Sequence, residues 1–257
     1  MNSMRVAGAD EARRLMDEAS FADEAYSRFA DQLALNQSFY QKYAAPVDEW
    51  DWRQWGAKRL GTLAGCSVLD FGCGAGEETT YLAKLGATVT AIDISPVGVQ
   101  LTNARARFNG VGDRVRALEM RCDPTDFPDA SFDIVHGFGI LHHVGLRAGL
   151  LEVRRLLKPG GRGLFFEHMG NSRLIERIRP KEGHATDHEK PVTWRDVMNM
   201  RSSFSAFEAY PFHLISRLRG SVPFCGQPLI KRVDHGLLKI CPPLRFFASG
   251  VVIYLEK

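Results

Sequence analysis

The rhythm of apolar and polar positions changes near residue 67. Over residues 9–43, Leu15, Met16, Ala19, Ala22, Tyr26, Phe29, Ala30 and Leu33 recur at helical spacing, which predicts helix. An aromatic-rich piece follows, with Phe39, Tyr40, Tyr43, Trp50, Trp52 and Trp55. Residues 1–60 read as a helical cap on the core. They also read as a lid in which Tyr40, Tyr43 and Trp50 cover a cationic or apolar ligand, and the two readings are compatible. From 67 onward short apolar runs alternate with helix-like segments. That alternation predicts α/β class, a doubly wound and mostly parallel sheet over residues 61–257.

The elements follow in order. Ser67–Phe71 reads as a buried strand, and Glu77–Leu85 as a helix that stops at Gly86. Strand two is Thr88–Asp93. Ser95 is a good N-cap and Pro96 a good first helical residue for a helix to about Phe108. Strand three is Val115–Met120, and Cys122 to Ser131 is a loop. Strand four is Phe132–Gly137. A helix over Leu146–Leu157 ends at Lys158-Pro159-Gly160-Gly161, before strand five, Gly163–Glu167. Residues 171–200 form a polar, helix-prone insertion. A strand at Phe204–Pro211 leads into an irregular basic and apolar stretch, 212–247, and Gly250–Leu255 is β-rich. Both insertions read as substrate lids.

The chemistry gathers around Val68-Leu69-Asp70-Phe71-Gly72-Cys73-Gly74-Ala75-Gly76. A strand that turns through glycines into a helix collects backbone N–H groups and the positive helix end at one point, which suits a nucleotide-like ligand. A dinucleotide loop would carry its third glycine at 77. Here Glu77 stands there and the third glycine is Gly76. This pattern resembles motif I of the class I S-adenosyl-L-methionine (SAM)-dependent methyltransferases. Ala91-Ile92-Asp93-Ile94-Ser95 resembles the acidic second motif of that family. Asp129 to Val135 resembles its approach to strand four, and Leu157 to Gly161 its turn before strand five. The four occur in order over about residues 65–170. The resemblance implies a Rossmann-like seven-stranded sheet with an antiparallel last strand. It points to the small-molecule branch, related to quinone-biosynthesis and natural-product enzymes.

Ligands of open α/β sheets bind beyond the carboxyl ends of the strands. By the resemblance, Asp70, Phe71, Gly72, Cys73, Gly74 and Gly76 hold the methionine part of SAM, with Asp70 orienting the loop or the amino group. Asp93 accepts the ribose hydroxyls. Asp123 faces the adenine amino group. Pro124 lacks the usual N–H, so Cys122 or Thr125 is an alternative donor and Asp126 a rival acid. Ile94 and Phe138 sandwich or edge the adenine, or belong to the core. Methyl transfer from a sulfonium can rest on alignment and water exclusion, with a base only for a protonated nucleophile. Candidates for that base are Glu167, His168, His142 and His143. The His142-His143 pair matches a family position at which one member is usually structural. His184, Asp187, His188 and Glu189 read as a polar lid, not a metal site, and no metal is expected.

Composition narrows the partners. Of 257 residues 45% are hydrophobic and 25% charged, and 33 basic against 30 acidic residues leave +3, too balanced for a nucleic-acid partner. The five cysteines form no C-x-x-C pair. Together with an N-terminus lacking an apolar signal core, they predict a reduced, cytoplasmic protein. No apolar run is long enough to span a bilayer, so no integral membrane association is expected. Homo-oligomerisation is open. Gly137-Phe138-Gly139-Ile140 replaces the N-P-P-[YF] or D-P-P-[YF] of enzymes that methylate amino groups of adenine or glutamine. Arg173, Arg177, Arg179, Lys231, Arg232 and Arg245 are interleaved with apolar residues. The expected acceptor is a small metabolite with an apolar body and a polar or anionic tail, unless these basic residues form a solvated face. Methylation of a lipid or quinone at a membrane surface is one alternative, although Leu237–Tyr254 lacks the length and charge pattern to argue it. A NAD(P)-dependent oxidoreductase is the other, without a recognisable Tyr-x-x-x-Lys pair.

Overall fold

The computed structural model describes residues 2–44, 51–170, 192–215 and 227–257. Trp50, the side chain of Tyr43 and the His184, Asp187, His188, Glu189 cluster lie outside the described residues.

The strands are β1 Ser67–Phe71, β2 Thr88–Asp93, β3 Val115–Glu119, β4 Phe132–Phe138, β5 Leu157–His168, β6 Ala206–Phe212 and β7 Gly250–Glu256. They form one sheet in the order β3-β2-β1-β4-β5-β7-β6. The pairs from β3 to β5 are parallel, and β7 runs antiparallel between β5 and β6. Because both faces are covered, the inner strands are apolar runs and not alternating patterns. Side chains still alternate. Leu69 and Phe71 of β1 enter one core cluster with Val135, Phe165 and Ile253, while Val68 enters the other with Ile134, Leu164 and Val252.

The helices are α1 Asn2–Ser27, α2 Gln37–Ala44, α3 Trp52–Leu60, α4 Glu77–Lys84, α5 Pro96–Phe108, α6 Leu141–Val144, α7 Leu146–Leu156, α8 Trp194–Asn199 and α9 Gln227–Ile240. The helix expected over 9–43 is interrupted between α1 and α2. Long-range bonds take over the backbone groups of that turn: Arg105 donates to Gln32 O, Asn109 Nδ2 to Leu33 O at 2.8 Å, and Tyr81 OH to Asn36 O at 2.9 Å. Asn36 Oδ1 then accepts the Ser38 N–H, which starts α2.

The Lys158 to Gly161 turn lies inside β5, where the pairing with β4 shifts register. Lys158 Nζ holds Asp133 Oδ1 at 2.8 Å, and Asp133 Oδ2 accepts the Ser67 N–H at 2.8 Å, tying the starts of β1, β4 and β5. The 212–247 stretch is not irregular throughout. It contains α9 and a 3-10 turn, Pro242–Phe247. Apolar residues on opposite sides of α9, such as Leu238 inside and Ile240 outside, hide the single stripe that would announce a helix.

Phe165 is fully buried in the cluster that holds Leu69 and Phe71. A Cβ on Gly137 or Gly163 would come within 2.7 or 3.3 Å of its ring. Phe165→Ala should cost about 3–5 kcal/mol in urea unfolding. A loss below about 1 kcal/mol would show that the cluster is not tightly packed there.

Candidate active site

The carboxyl ends of β1 to β5 share one edge of the sheet, and the glycine loop crosses it. Gly72 and Cys73 donate to Ile92 O of β2 at 3.0 and 2.9 Å. Gly74 N–H donates to Asp93 Oδ2 at 2.8 Å, and Ser95 N–H to Asp93 Oδ1 at 2.9 Å. Asp93 is buried, which pushes its carboxyl above the usual range even though these N–H groups pull it back. Each oxygen keeps further accepting capacity. The loop is clamped from behind, since Thr102 Oγ1 donates to Gly74 O at 3.0 Å and Arg105 to Ala75 O at 2.8 Å. Gly76 sits at φ +78, and a Cβ there would lie 2.5 Å from Thr102 Cα, so only glycine fits.

Asp70 is only 1% exposed. Its Oδ2 accepts from Thr79 Oγ1 at 2.5 Å, and its Oδ1 lies 3.1 Å from His136 Nδ1 of β4. It therefore ties the end of β1 to α4 and β4. His136 is completely buried, and its Nε2 has no hydrogen-bond partner among the described residues. Burial pulls the imidazole down, but the Asp70 carboxylate outweighs it and holds His136 above its ordinary value. Phe71, expected with the loop, is a core residue packed edge-on against Phe165. Its side chain cannot reach a ligand. The Cys73 and Cys122 thiols are buried and pushed up by that burial.

Helix α1 lies along the ends of β3, β2 and β1. Glu11 pairs with Arg121 at 2.8 Å. Asp23 Oδ1 accepts from Ser95 Oγ at 2.5 Å and from the Val97 N–H at 3.3 Å. The Tyr26 ring rests on Gly74 and Gly98, with its hydroxyl pushed up first by burial and then by Asp93. The helical pattern named Tyr26 only as one apolar position, and Asp23 carried no signal, because neither shows its long-range partner in sequence.

Beyond β3, Asp123 is half-buried and raised by burial and by Glu152. Thr125 is committed elsewhere, its N–H and hydroxyl both donating to Glu152 Oε1 at 2.9 and 2.7 Å, while Asp126 is exposed. Ile94 is at the end of β2, next to β3. Phe138 is not beside it. Two strand spacings, about 10 Å, separate the ends of β2 and β4, so the expected sandwich cannot close directly. Phe138 faces Trp52 at 6.0 Å and Phe166 at 5.7 Å.

At the ends of β4 and β5, Glu167 is buried and fully engaged. Its Oε1 accepts the Ile140 and Leu141 N–H groups at 2.9 and 2.8 Å, and its Oε2 lies 2.8 Å from His142 Nδ1. Expected as the base itself, Glu167 instead caps α6 and orients His142. His143 stacks on His142 at 4.2 Å between ring centres, and the exposed His168 lies 6.3 Å from it. Tyr40 packs in the cap against Tyr81 at 6.2 Å, a structural place. Trp52, absent from the expected contact residues, packs at this end of the sheet. It stacks on Phe212 at 4.7 Å and meets Phe166 at 4.9 Å. Together with Tyr210, His213, Lys231, Asp234 and Leu238 it lines a small cleft.

A parallel sheet with an antiparallel seventh strand, a glycine loop after β1 and a buried acid after β2 define a Rossmann-like α/β fold. Residues 68–161 match the family model described as a methyltransferase domain. The demethylmenaquinone methyltransferase of Tropheryma whipplei (strain Twist) is 41% identical over 126 residues, 48% of this chain and 51% of that protein. The 27-O-demethylrifamycin SV methyltransferase of Amycolatopsis mediterranei (strain S699) is 35% identical over 147 residues, covering 53% and 54%. The chain thus spans about half the length of these curated relatives. Among solved structures, a geranyl diphosphate methyltransferase in complex with GPP and sinefungin superposes with TM-score 0.61 at 16% identity, over 95% of this chain and 99% of that one. The geranyl diphosphate C-methyltransferase of Streptomyces coelicolor A3(2) superposes with TM-score 0.58 at 17% identity, over 79% and 77%. At these identities the superpositions establish the fold, and the oxidoreductase alternative finds no support.

Because His136 is held above its ordinary value of 6.5, its contribution to stability is complete below that pH and fades as pH rises through the folded value. The urea midpoint should therefore fall as pH rises from about 6.5, and His136→Gln should flatten that slope. Equal slopes in both proteins would remove the pair from the stability balance.

Proposed function

We propose that the protein transfers a methyl group from SAM to a small, partly apolar acceptor, with His142 as general base. The observation that carries this reading is the Glu167–His142 pair. A carboxylate only accepts, so His142 donates through Nδ1 and its basic lone pair is on Nε2. The two N–H groups on Glu167 Oε1 hold the carboxyl group in place beside His142, where a carboxylate stabilises the imidazolium formed when His142 takes a proton. A proton-bearing nucleophile, such as a hydroxyl, is the acceptor that needs this arrangement.

The residues present fit the cofactor. The glycine loop leaves no room for a Cβ at Gly76, and Asp93 is a buried acid with accepting capacity left. Gly72, Cys73, Gly74 and Gly76 would hold the methionine end through backbone groups, Asp93 the ribose hydroxyls, and Ile94 and Asp123 the adenine. When bound, SAM supplies a methyl group activated by its sulfonium. This chain holds the acceptor in line, excludes water through Trp52, Phe138 and Phe166, and moves the acceptor proton to His142 Nε2. His143 and His168 would polarise or position the same imidazole. The names of the relatives, a quinone precursor and a rifamycin among their substrates, support a small acceptor with an apolar body.

The test separates binding from turnover. Asp93→Ala should abolish SAM binding in calorimetry. His142→Ala should keep SAM affinity and lower kcat by about 10²–10⁴-fold on a panel of hydroxylated aromatic and prenyl acceptors. Glu167→Gln should retain SAM affinity and shift the pH at which kcat rises, because the imidazole loses its charged partner. Full turnover in His142→Ala would remove the base from the mechanism, and unchanged SAM binding in Asp93→Ala would overturn the ribose assignment.

A further inference from the structure

We propose that the outer face of α9 and the following 3-10 turn dock on an anionic lipid surface. Helical spacing places Leu229, Val233, Gly236 and Ile240 on one line, at i, i+4, i+7 and i+11. The opposite line, Lys231, Asp234 and Leu238, faces the protein and the aromatic cleft. Among the outward residues Leu229 is 65% exposed, Val233 44% and Ile240 84%, and Phe246 and Phe247 of the adjoining turn are 51% and 47% exposed. Large apolar side chains gathered at one such place mark an interaction surface.

Charge identifies the partner. Arg232 and Lys239 are exposed along one side of the apolar line. Between Ala209 and Leu255 the sequence carries six Lys and Arg and a single acid, Asp234. That acid is buried, accepting the Leu214 and Ile215 N–H groups at 3.0 and 2.7 Å. Among the described residues of α9 and the 3-10 turn the exposed side chains are thus apolar or basic and none is acidic, the composition of a helix that lies in the headgroup region of anionic membranes. A second copy is the poorer occupant, because a two-fold contact through this face would bring basic rows of the two copies together with no acid between them. No described helix is long and apolar enough to cross a membrane, so the contact is peripheral. Docking through α9 would set the cleft lined by Trp52, Phe212 and Lys231 beside the lipid, on the opposite side of the same helix. The proposal does not depend on the acceptor or on His142.

The experiment is co-sedimentation of the full chain with phosphatidylcholine vesicles, with and without phosphatidylglycerol. The expected result is binding to the phosphatidylglycerol vesicles that weakens with added salt. Leu229→Ser/Val233→Ser/Ile240→Ser and, separately, Arg232→Glu/Lys239→Glu should each reduce it roughly tenfold or more. All substituted residues are exposed, and unchanged SAM binding by calorimetry would show that each variant is folded, so lost docking is distinguishable from a failed methyltransferase site. Equal sedimentation with both vesicle types, no binding, or undiminished binding by the variants would overturn the proposal. So would a dimer in analytical ultracentrifugation that the serine variant dissolves, since the occupant would then be a second copy.

Discussion

The site depends on how one carboxylate is held. Asp93 ends β2, takes the Gly74 N–H on one oxygen and the Ser95 N–H on the other, and so joins the glycine loop to the start of α5. Burial makes that carboxylate costly unless it is bonded, and the bonds keep it in place. The backbone bonds of Gly72 and Cys73 to Ile92, the Thr102 and Arg105 clamps on the loop carbonyls and the Asp70–Thr79–His136 support below make the loop a fixed surface. Preorganisation of this kind lets a site spend little on ordering itself when a ligand arrives.

The same logic is repeated on the other half of the edge. Glu167 does for α6 and His142 what Asp93 does for the loop and α5. In each case a buried acid at a strand end takes two backbone N–H groups, Glu167 both from the segment after β4, Asp93 one from the loop after β1 and one from the start of α5. In the first case capacity remains for further donors, and in the second it is used on an imidazole. Two acids at equivalent strand ends thereby acquire different work, and the difference lies in what neighbours them, not in residue type. Aromatic residues from α3, β4, β5 and β6 close the second half, with Trp52 at their centre.

Much of this was legible in the chain. The glycine spacing, Asp93 and the alternation of elements indicate the fold class and the cofactor edge, because a parallel sheet and a strand–turn–helix are local patterns. The departures share one cause. Phe71 and Phe138 were both grouped with the cofactor because they flank motif residues, yet pleating sends Phe71 into the core, and the strand order sends Phe138 to Trp52 and Phe166. Tyr40 and Trp52 exchanged places for the same reason: both are aromatic residues of the cap, and only packing decides that one meets Tyr81 and the other Phe212.

The sequence alone determined which residue types stand at each strand end, where the tight turns must be, and that Gly72 to Gly76 turn a strand into a helix. Those features rest on spacing along the chain. Only the tertiary structure decided that Glu167 is tied to His142 across two strands, that Asp70 faces His136, that α1 lies over the loop, and that α9 turns an apolar and basic line outward. Each of these joins residues far apart in sequence, so burial and hydrogen-bond partners, which set their chemistry, exist only once the chain has folded.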